Sequence, residues 1–257
     1  MMKHTIPVPE PVLLDVVDST NTYARTHFDQ LPDGTMVAAR CQTAGRGRRG
    51  RAWLSPAGQN IYATFLFKHL ADGFHGGCLV GVGALACLRE AAPGVDAFLK
   101  WPNDLYVRER KLAGLLCESA RIEAGRITGA VAGIGINVNL PPEELLSVDQ
   151  PATSLLAEEK REFNLEILTK RLAETVFRYY ITYLNSADAL LAEWRSANRL
   201  IGRKISVTDS NGSTHEGIFR AISADGSMIF EENGQMKCFT CCDVKINRES
   251  VDWDHLT

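Results

Sequence analysis

The chain has 257 residues, 45% of them hydrophobic and 23% charged, with a net charge of -3, enough for one sizeable core and a smaller second unit. That balance excludes the overall basic excess of a dedicated nucleic-acid binder. No apolar run reaches the roughly 18 residues of a transmembrane helix, and Met1-Met2-Lys3-His4-Thr5-Ile6-Pro7 lacks the apolar core of a secretory signal.

Asp18-Ser19-Thr20-Asn21 reads as a helix N-cap followed by a first turn, Thr22-Tyr23-Ala24-Arg25. Capping uses one side-chain oxygen, so the other hydroxyl, the Asn21 amide and the exposed N–H groups are open to a polar ligand. Asp33-Gly34 is a turn, Thr35 to Cys41 a short apolar strand, and Gln42 opens Gly45-Arg46-Gly47-Arg48-Arg49-Gly50-Arg51. Glycines there let the backbone turn sharply towards a ligand, and the guanidiniums offer planar forks for phosphate or carboxylate. The spelling matches the Gly-x-Gly-x-x-Gly loop of nicotinamide and flavin enzymes, but that loop opens a helix, and Pro56 leaves no room for one. A phosphate-handling loop is the sharper reading; a solvated basic patch or localisation signal is the bland one.

Asn60 to Phe67 reads as a buried strand and Gly76 to Ala92 as a core helix stopped by Pro93-Gly94. Ala97 to Lys100 is a second strand, turned abruptly by Trp101-Pro102-Asn103-Asp104. Lysine, amide and carboxylate within five residues suit phosphate neutralisation, substrate orientation and metal binding. Turn chemistry accounts for Asn103 and Asp104 but not for Lys100 or Trp101, although a strand-end lysine is often merely solvent-facing. Lys111 to Glu118 and Arg126 to Asn139 form a strand pair about Glu123-Ala124-Gly125, with Gly129, Gly133 and Gly135 allowing close backbone approach. Asn137, in an apolar strand, needs a backbone or ligand partner if buried.

Phe163 to Leu184 carries an amphipathic stripe (Leu165, Leu168, Leu172, Val176, Tyr180, Leu184), and Ala187 to Ala197 is a second helix. Five short strands follow: Lys204 to Asp209, His215 to Ile222, Ser227 to Glu232, Gln235 to Thr240 and Asp243 to Asn247. Turns at Asn211-Gly212, Asp225-Gly226 and Asn233-Gly234 suggest a small barrel. The seven scattered cysteines (Cys41, Cys78, Cys87, Cys117, Cys238, Cys241, Cys242) read as reduced thiols of a cytoplasmic protein. Cys238 and Cys241 have half-site spacing without a second pair to complete a metal site.

Gly45-Arg-Gly-Arg-Arg-Gly-Arg-Ala-Trp53, Lys100-Trp-Pro-Asn-Asp104, Arg110-Lys-Leu-Ala-Gly114 and Gly133-Ile-Gly-Ile-Asn137 stand in the order typical of biotin protein ligases. The chain resembles that family by motif from about Asp15 to Asn139 and by architecture beyond. The resemblance implies an α+β fold: a class II synthetase-like domain over residues 1–199, with a mixed sheet and flanking helices, then an SH3-like barrel over 200–257. It implies a ligase that joins biotin and magnesium ATP into biotinyl-5′-adenylate, then passes biotin to a lysine of a biotin carboxyl carrier protein such as that of acetyl-CoA carboxylase. No prosthetic group is implied.

The same resemblance assigns Ser19, Thr20, Asn21, Gln42, Gly45, Arg46, Gly114 and Lys111 to biotin, with Lys111 at its carboxylate. Arg48, Arg51, Trp53, Asn103 and Asn137 fall to ATP or the adenylate, with Gly45 to Arg48 as a closing loop. Lys100 would stabilise charge on the α-phosphate, and Asp104 would partner magnesium or Lys100; Lys100, Arg46 and Lys111 make up the catalytic set. There are departures from the family pattern. Ala52 stands where a lysine is usual, Asn247 and Arg248 shift an expected arginine, and Cys241-Cys242 replaces a glycine-rich turn. Without a helix-turn-helix ahead of Asp18, specific DNA binding and repressor activity are not expected, nor is a membrane partner; many relatives pair as homodimers through the central sheet's edge. Two other classes compete. A lipoate or octanoate transferase leaves the arginine loop unexplained, and a non-catalytic binder of biotin or nucleotide would release no pyrophosphate.

Overall fold

Paired apolar strands and one long apolar helix organise the chain, and the computed structural model describes residues 7–70, 73–148, 150–209, 211–240 and 243–245. Seven strands form the larger sheet: β1 (Val12–Val17), β2 (Met36–Gln42), β3 (Ile61–Phe67), β4 (Ala97–Lys100), β5 (Asp104–Val107), β6 (Arg110–Glu123) and β7 (Arg126–Ile136). Their order is β1-β2-β3-β7-β6-β5-β4. β1 runs parallel to β2 and the other neighbours are antiparallel, so the sheet is mixed.

The two-residue period of a strand divides this sheet into two chemically different faces. Ala130, Ala132, Ile134 and Ile136 of β7, Ala113 and Leu115 of β6, and Ala63, Phe65 and Phe67 of β3 join the main core. Over that face lies α2 (Gly73–Ala91), with α5 (Leu165–Asn185) and α6 (Ala187–Ser196) packed on it. The alternate residues Val131 and Leu66 belong to a small cluster with Ala24 of α1 (Thr20–Thr26) and with Phe28 just after it, on the other face. Farther along that face the alternate positions become Thr64, Gly114, Glu118, Gly133, Gly135 and Asn137. Apolar cover stops there.

α5 starts where the Asn164 side chain accepts a hydrogen bond from the Ile167 N–H at 3.0 Å. Its stripe holds from Leu168 through Tyr180, but at the last turn Tyr183 is buried and Leu184 is 45% exposed. The helix therefore closes on the core with an i+3 step instead of i+4.

The second sheet contains β8 (Lys204–Thr208), β9 (Thr214–Ile222), β10 (Met228–Glu232), β11 (Gln235–Phe239) and β12 (Asp243–Lys245). It is antiparallel throughout, in the order β11-β10-β9-β8-β12, and no pairing among the described residues joins its two ends. Ile205, Phe219, Met228 and Phe230 belong to the same apolar cluster as the helices, so the two sheets share a core. Trp101, 1% exposed, donates from Nε1 to the Gly226 carbonyl at 2.8 Å, and its ring meets Phe219 edge-on at 6.4 Å. That contact supplies the reason for Trp101 that turn chemistry lacks.

The expected strands and long helices are present with ends moved by a few residues. Four short elements were not anticipated: β1, β5, α3 (Pro142–Leu145) and α4 (Leu155–Glu159). β1 is an edge strand that leaves Leu13 and Val16 exposed, so its apolar run carries no alternation. Replacing Trp101 by Phe removes the donor to Gly226 and part of the ring. Urea denaturation of Trp101→Phe should show a loss of about 2–3 kcal/mol; an unchanged midpoint would mean that the sheets do not depend on this contact.

Candidate functional site

One register row across the large sheet sets the floor of the site. Lys100 pairs with Asp104, Asp104 with Gly114, Gly114 with Gly135, and Gly135 with Tyr62. Register partners point to the same face. Large side chains thus flank two positions that have none, and a trough results. Trp53 lies in it. A Cβ on Gly135 would fall 2.2 Å from the Trp53 Nε1, and one on Gly114 would fall 3.0 Å from both the Trp53 ring and the Lys111 Nζ. Only glycine permits this approach.

A cavity of about 1000 Å³ opens over this floor, bounded by the start of α1, the glycine-arginine segment, the Lys100 to Asp104 corner and the Pro151-Ala152 segment. Every side chain or glycine assigned from the sequence lines it: Ser19, Thr20, Asn21, Gln42, Gly45, Arg46, Gly47, Arg48, Arg51, Trp53, Lys100, Asn103, Asp104, Lys111, Gly114 and Asn137. Asn247, Arg248 and Cys241-Cys242 lie outside the described residues.

The glycine-arginine segment folds as a small hairpin. Trp53 N donates to the Gly45 carbonyl at 2.9 Å and Gly47 N to the Arg51 carbonyl at 2.7 Å, around a single turn at Arg48–Gly50. No helix follows, which removes the dinucleotide reading. Arg49 and Gly50 take φ of 56° and 73°, and a Cβ on Gly45 would fall 2.5 Å from the Trp53 carbonyl. Arg46 Nη2 donates to Glu118 at 2.9 Å, and Arg48 Nη1 to the Asn103 Oδ1 at 2.9 Å. One guanidinium is held by an acceptor on β6 and the other by an acceptor in the turn between β4 and β5.

At the other end, the start of α1 is built by a hydrogen-bond chain. Gln42 Oε1 accepts from the Thr20 N–H at 2.9 Å and lies 3.2 Å from the Thr20 hydroxyl, while its Nε2 donates to Ser55 at 3.0 Å. The Thr64 hydroxyl is 2.8 Å from that of Thr20 and 2.7 Å from the Asn21 Oδ1. Two hydroxyl protons therefore serve three contacts, since both amide oxygens only accept. The chain can redistribute its protons when a ligand arrives. Asn21 spends both amide hydrogens inside the protein, on the Leu116 carbonyl at 3.0 Å and on Glu118 at 2.8 Å. It ties α1 to β6, and only an oxygen lone pair is left for a ligand. The Ser19 hydroxyl has no protein partner among the described residues, and Ser19 supplies no side-chain cap to α1.

Cations gather at the strand ends. Lys100 is buried, its Nζ 4.4 Å from the Tyr106 ring centroid and 3.3 Å from the phenol oxygen. Burial, reinforced by the Asp104 charge, pushes the Tyr106 phenol well above its ordinary range, so it stays neutral beside Lys100. Asp104 pairs with Lys111 at 2.8 Å, and each side chain is 13% exposed. That carboxylate is committed to a protein cation, and no cluster of three His, Cys, Asp or Glu side chains able to hold a metal occurs among the described residues. Asn103 is engaged at both ends of its amide, donating to the Leu115 carbonyl at 2.8 Å while accepting from Arg48. Asn137 donates to the Thr153 carbonyl at 3.0 Å, the backbone partner that its burial requires. The residue itself lines the cavity. Sequence reading missed Thr64, Ser55, Tyr106 and Glu118; only the small polar side chain of Thr64 within an otherwise aliphatic and aromatic strand gave a local signal.

Gly135→Ala should expel the Trp53 indole from the trough. Its fluorescence, taken as the difference from Trp53→Phe in each background, should shift to the red and quench more readily with acrylamide. Identical spectra would place the ring elsewhere.

Residues 13–137 match the Biotin/lipoate A/B protein ligase family. The bifunctional ligase/repressor BirA of Escherichia coli is 32% identical over 235 residues, covering 88% of this chain and 70% of that protein. The biotin–[acetyl-CoA-carboxylase] ligase of Mycobacterium tuberculosis is 32% identical over 242 residues, covering 90% and 88%. In fold, the chain is similar to the biotin protein ligase of Aquifex aeolicus solved with biotin and ATP, with a TM-score of 0.77 at 22% identity over 93% of this chain and 99% of that one. The chain thus belongs to the Biotin/lipoate A/B protein ligase family, on the biotin protein ligase side of it.

Proposed function

We propose that this protein activates biotin with ATP and transfers it to a lysine of a biotin carboxyl carrier protein, with residues 1–199 carrying the chemistry and 200–257 a small barrel domain. The observation that carries this reading is the placement of the cavity between two chemically different ends, uncharged hydrogen-bonding groups at α1 and fixed cations at the strand ends. A molecule with a neutral polar ring at one end and a carboxylate at the other fits that polarity.

In the first step a carboxylate oxygen of biotin attacks the α-phosphorus of ATP, the bond to the β-phosphate oxygen breaks, and pyrophosphate leaves. Ser19, Thr20 and Gln42 hold the ureido group, with Asn21 positioning Thr64 behind them. Lys111 meets the carboxylate, which competes with Asp104 for it. Lys100, with a neutral phenol at its side, faces the charge that grows on the α-phosphate. Magnesium arrives with the triphosphate as part of the substrate. Trp53 leaves the glycine trough to face the adenine, Asn137 and Arg51 contact the nucleotide, and Arg46 and Arg48 close the loop over the product. In the second step the carrier lysine attacks the acyl carbon, AMP departs with the anhydride oxygen, and the amine proton passes to solvent. No protein nucleophile takes part. Orientation and charge stabilisation do the chemistry, in a setting with ATP and reduced thiols that suits the cytoplasm.

Incubation with biotin, magnesium ATP and a carrier domain should yield pyrophosphate and a carrier heavier by one biotinyl group on one lysine, read by mass spectrometry. Octanoyl or lipoyl transfer in its place, or binding without pyrophosphate, would sink the assignment. Lys100→Ala should slow adenylate formation by about 10²–10³-fold while biotin binding, measured by calorimetry, stays within about twofold; equal losses in both would place Lys100 in ground-state binding.

A further inference from the structure

Glu118 has no part in the motifs that mark the site, yet it sits where the loop, α1 and the sheet meet. It lies on β6 on the same face as Gly114 and Leu116, two residues beyond the cavity lining. One carboxylate oxygen, Oε2, accepts from both the Asn21 amide at 2.8 Å and the Arg46 guanidinium at 2.9 Å, and Arg25 stands 3.8 Å from the other. An exposed ion pair would be worth little. This one differs in its anchorage. Asn21 is 4% exposed and locked between the Leu116 carbonyl and the Thr64 hydroxyl, so the carboxylate is held in one orientation. It grips Arg46 by Nη2, which is also 3.4 Å from the Thr22 hydroxyl. The remaining guanidinium donors can still meet a ligand.

The far end of the loop enters the same network. Ser55 donates to the Trp53 carbonyl at 3.0 Å and accepts from Gln42, which bonds Thr20, which contacts Thr64 and through it Asn21. Both ends of the hairpin are therefore fastened to one largely buried chain of polar groups, in which Glu118 is the only carboxylate among the described residues.

We propose that Glu118 is a positioning residue: it holds Arg46 in the closed orientation of the loop and so sets how long the activated acyl-adenylate stays enclosed. This rests on the ligase reading above, and two measurements separate the two claims. The first needs no catalysis. Arginines at 46, 48, 49 and 51 make the loop a trypsin substrate, so limited trypsinolysis of the full chain without ligand reports its anchorage. Glu118→Ala should be cut there several-fold faster than wild type with other sites unchanged, and Glu118→Gln, which keeps an acceptor and the volume, should lie between. The second is escape of preformed biotinyl-adenylate, chased with unlabelled biotin and ATP. Glu118→Ala should release it about tenfold faster or more, and in an Arg46→Ala background the substitution should add nothing, as a shared interaction requires.

Equal loop cleavage in wild type and both variants overturns the proposal, and so does faster cleavage with unchanged adenylate escape. If wild type makes adenylate and Glu118→Gln alters neither readout, the positioning role fails while the ligase reading stands. If cleavage responds but wild type makes no adenylate, the ligase reading fails and retention of the adenylate fails with it.

Discussion

The site depends on two glycines that face each other across adjacent strands. Gly114 and Gly135 are register partners in the middle of a row that otherwise carries Tyr62, Asp104 and Lys100. The pleat fixes which face they share, and a one-residue slip would turn alanine and isoleucine side chains into the cavity instead. Register is pinned from behind by the alternate residues of the same strands, which are locked in the core against α2. Core packing on one face thereby determines the depth of the trough on the other.

Charge in the cavity is arranged differently from what a bare run of arginines suggests. Arg46 and Arg48 are met by Glu118 and Asn103, Lys111 by Asp104, and Lys100 rests on an aromatic face. Each cation is held in place before an anion arrives. Such holding lowers the conformational entropy lost on binding, and the acceptors involved can be exchanged for ligand oxygens with little rearrangement. A carboxylate ligand at Lys111 replaces like with like.

Much of this was legible where the cause is local. Turn glycines, the strand pair about Ala124-Gly125 and the helix from Leu165 all follow from spacing within a few residues, and the motif residues converge on one cavity. What stayed hidden depends on partners far along the chain. Asn21 and Glu118 are 97 residues apart and Arg46 and Glu118 are 72 apart, so nothing near any of them marks the contact. Trp101 stands among four residues that line the cavity, yet its indole packs on a sheet more than a hundred residues later. β1 is a strand because β2 offers it an edge, not because its own pattern alternates. Leu184 and Tyr183 exchanged places for a similar reason, since the last helical turn obeys what it packs against.

Trp101 lies between Lys100, which lines the cavity, and the turn that carries Asn103 and Asp104. Its indole is clasped on the opposite side by the Gly226 carbonyl and Phe219. The second sheet thus acts as a backstop for the corner that carries the cationic end. Any displacement of Lys100 reaches a different part of the molecule through a single residue, and whatever touches the outside of that small sheet is mechanically one side chain away from the cationic end of the cavity.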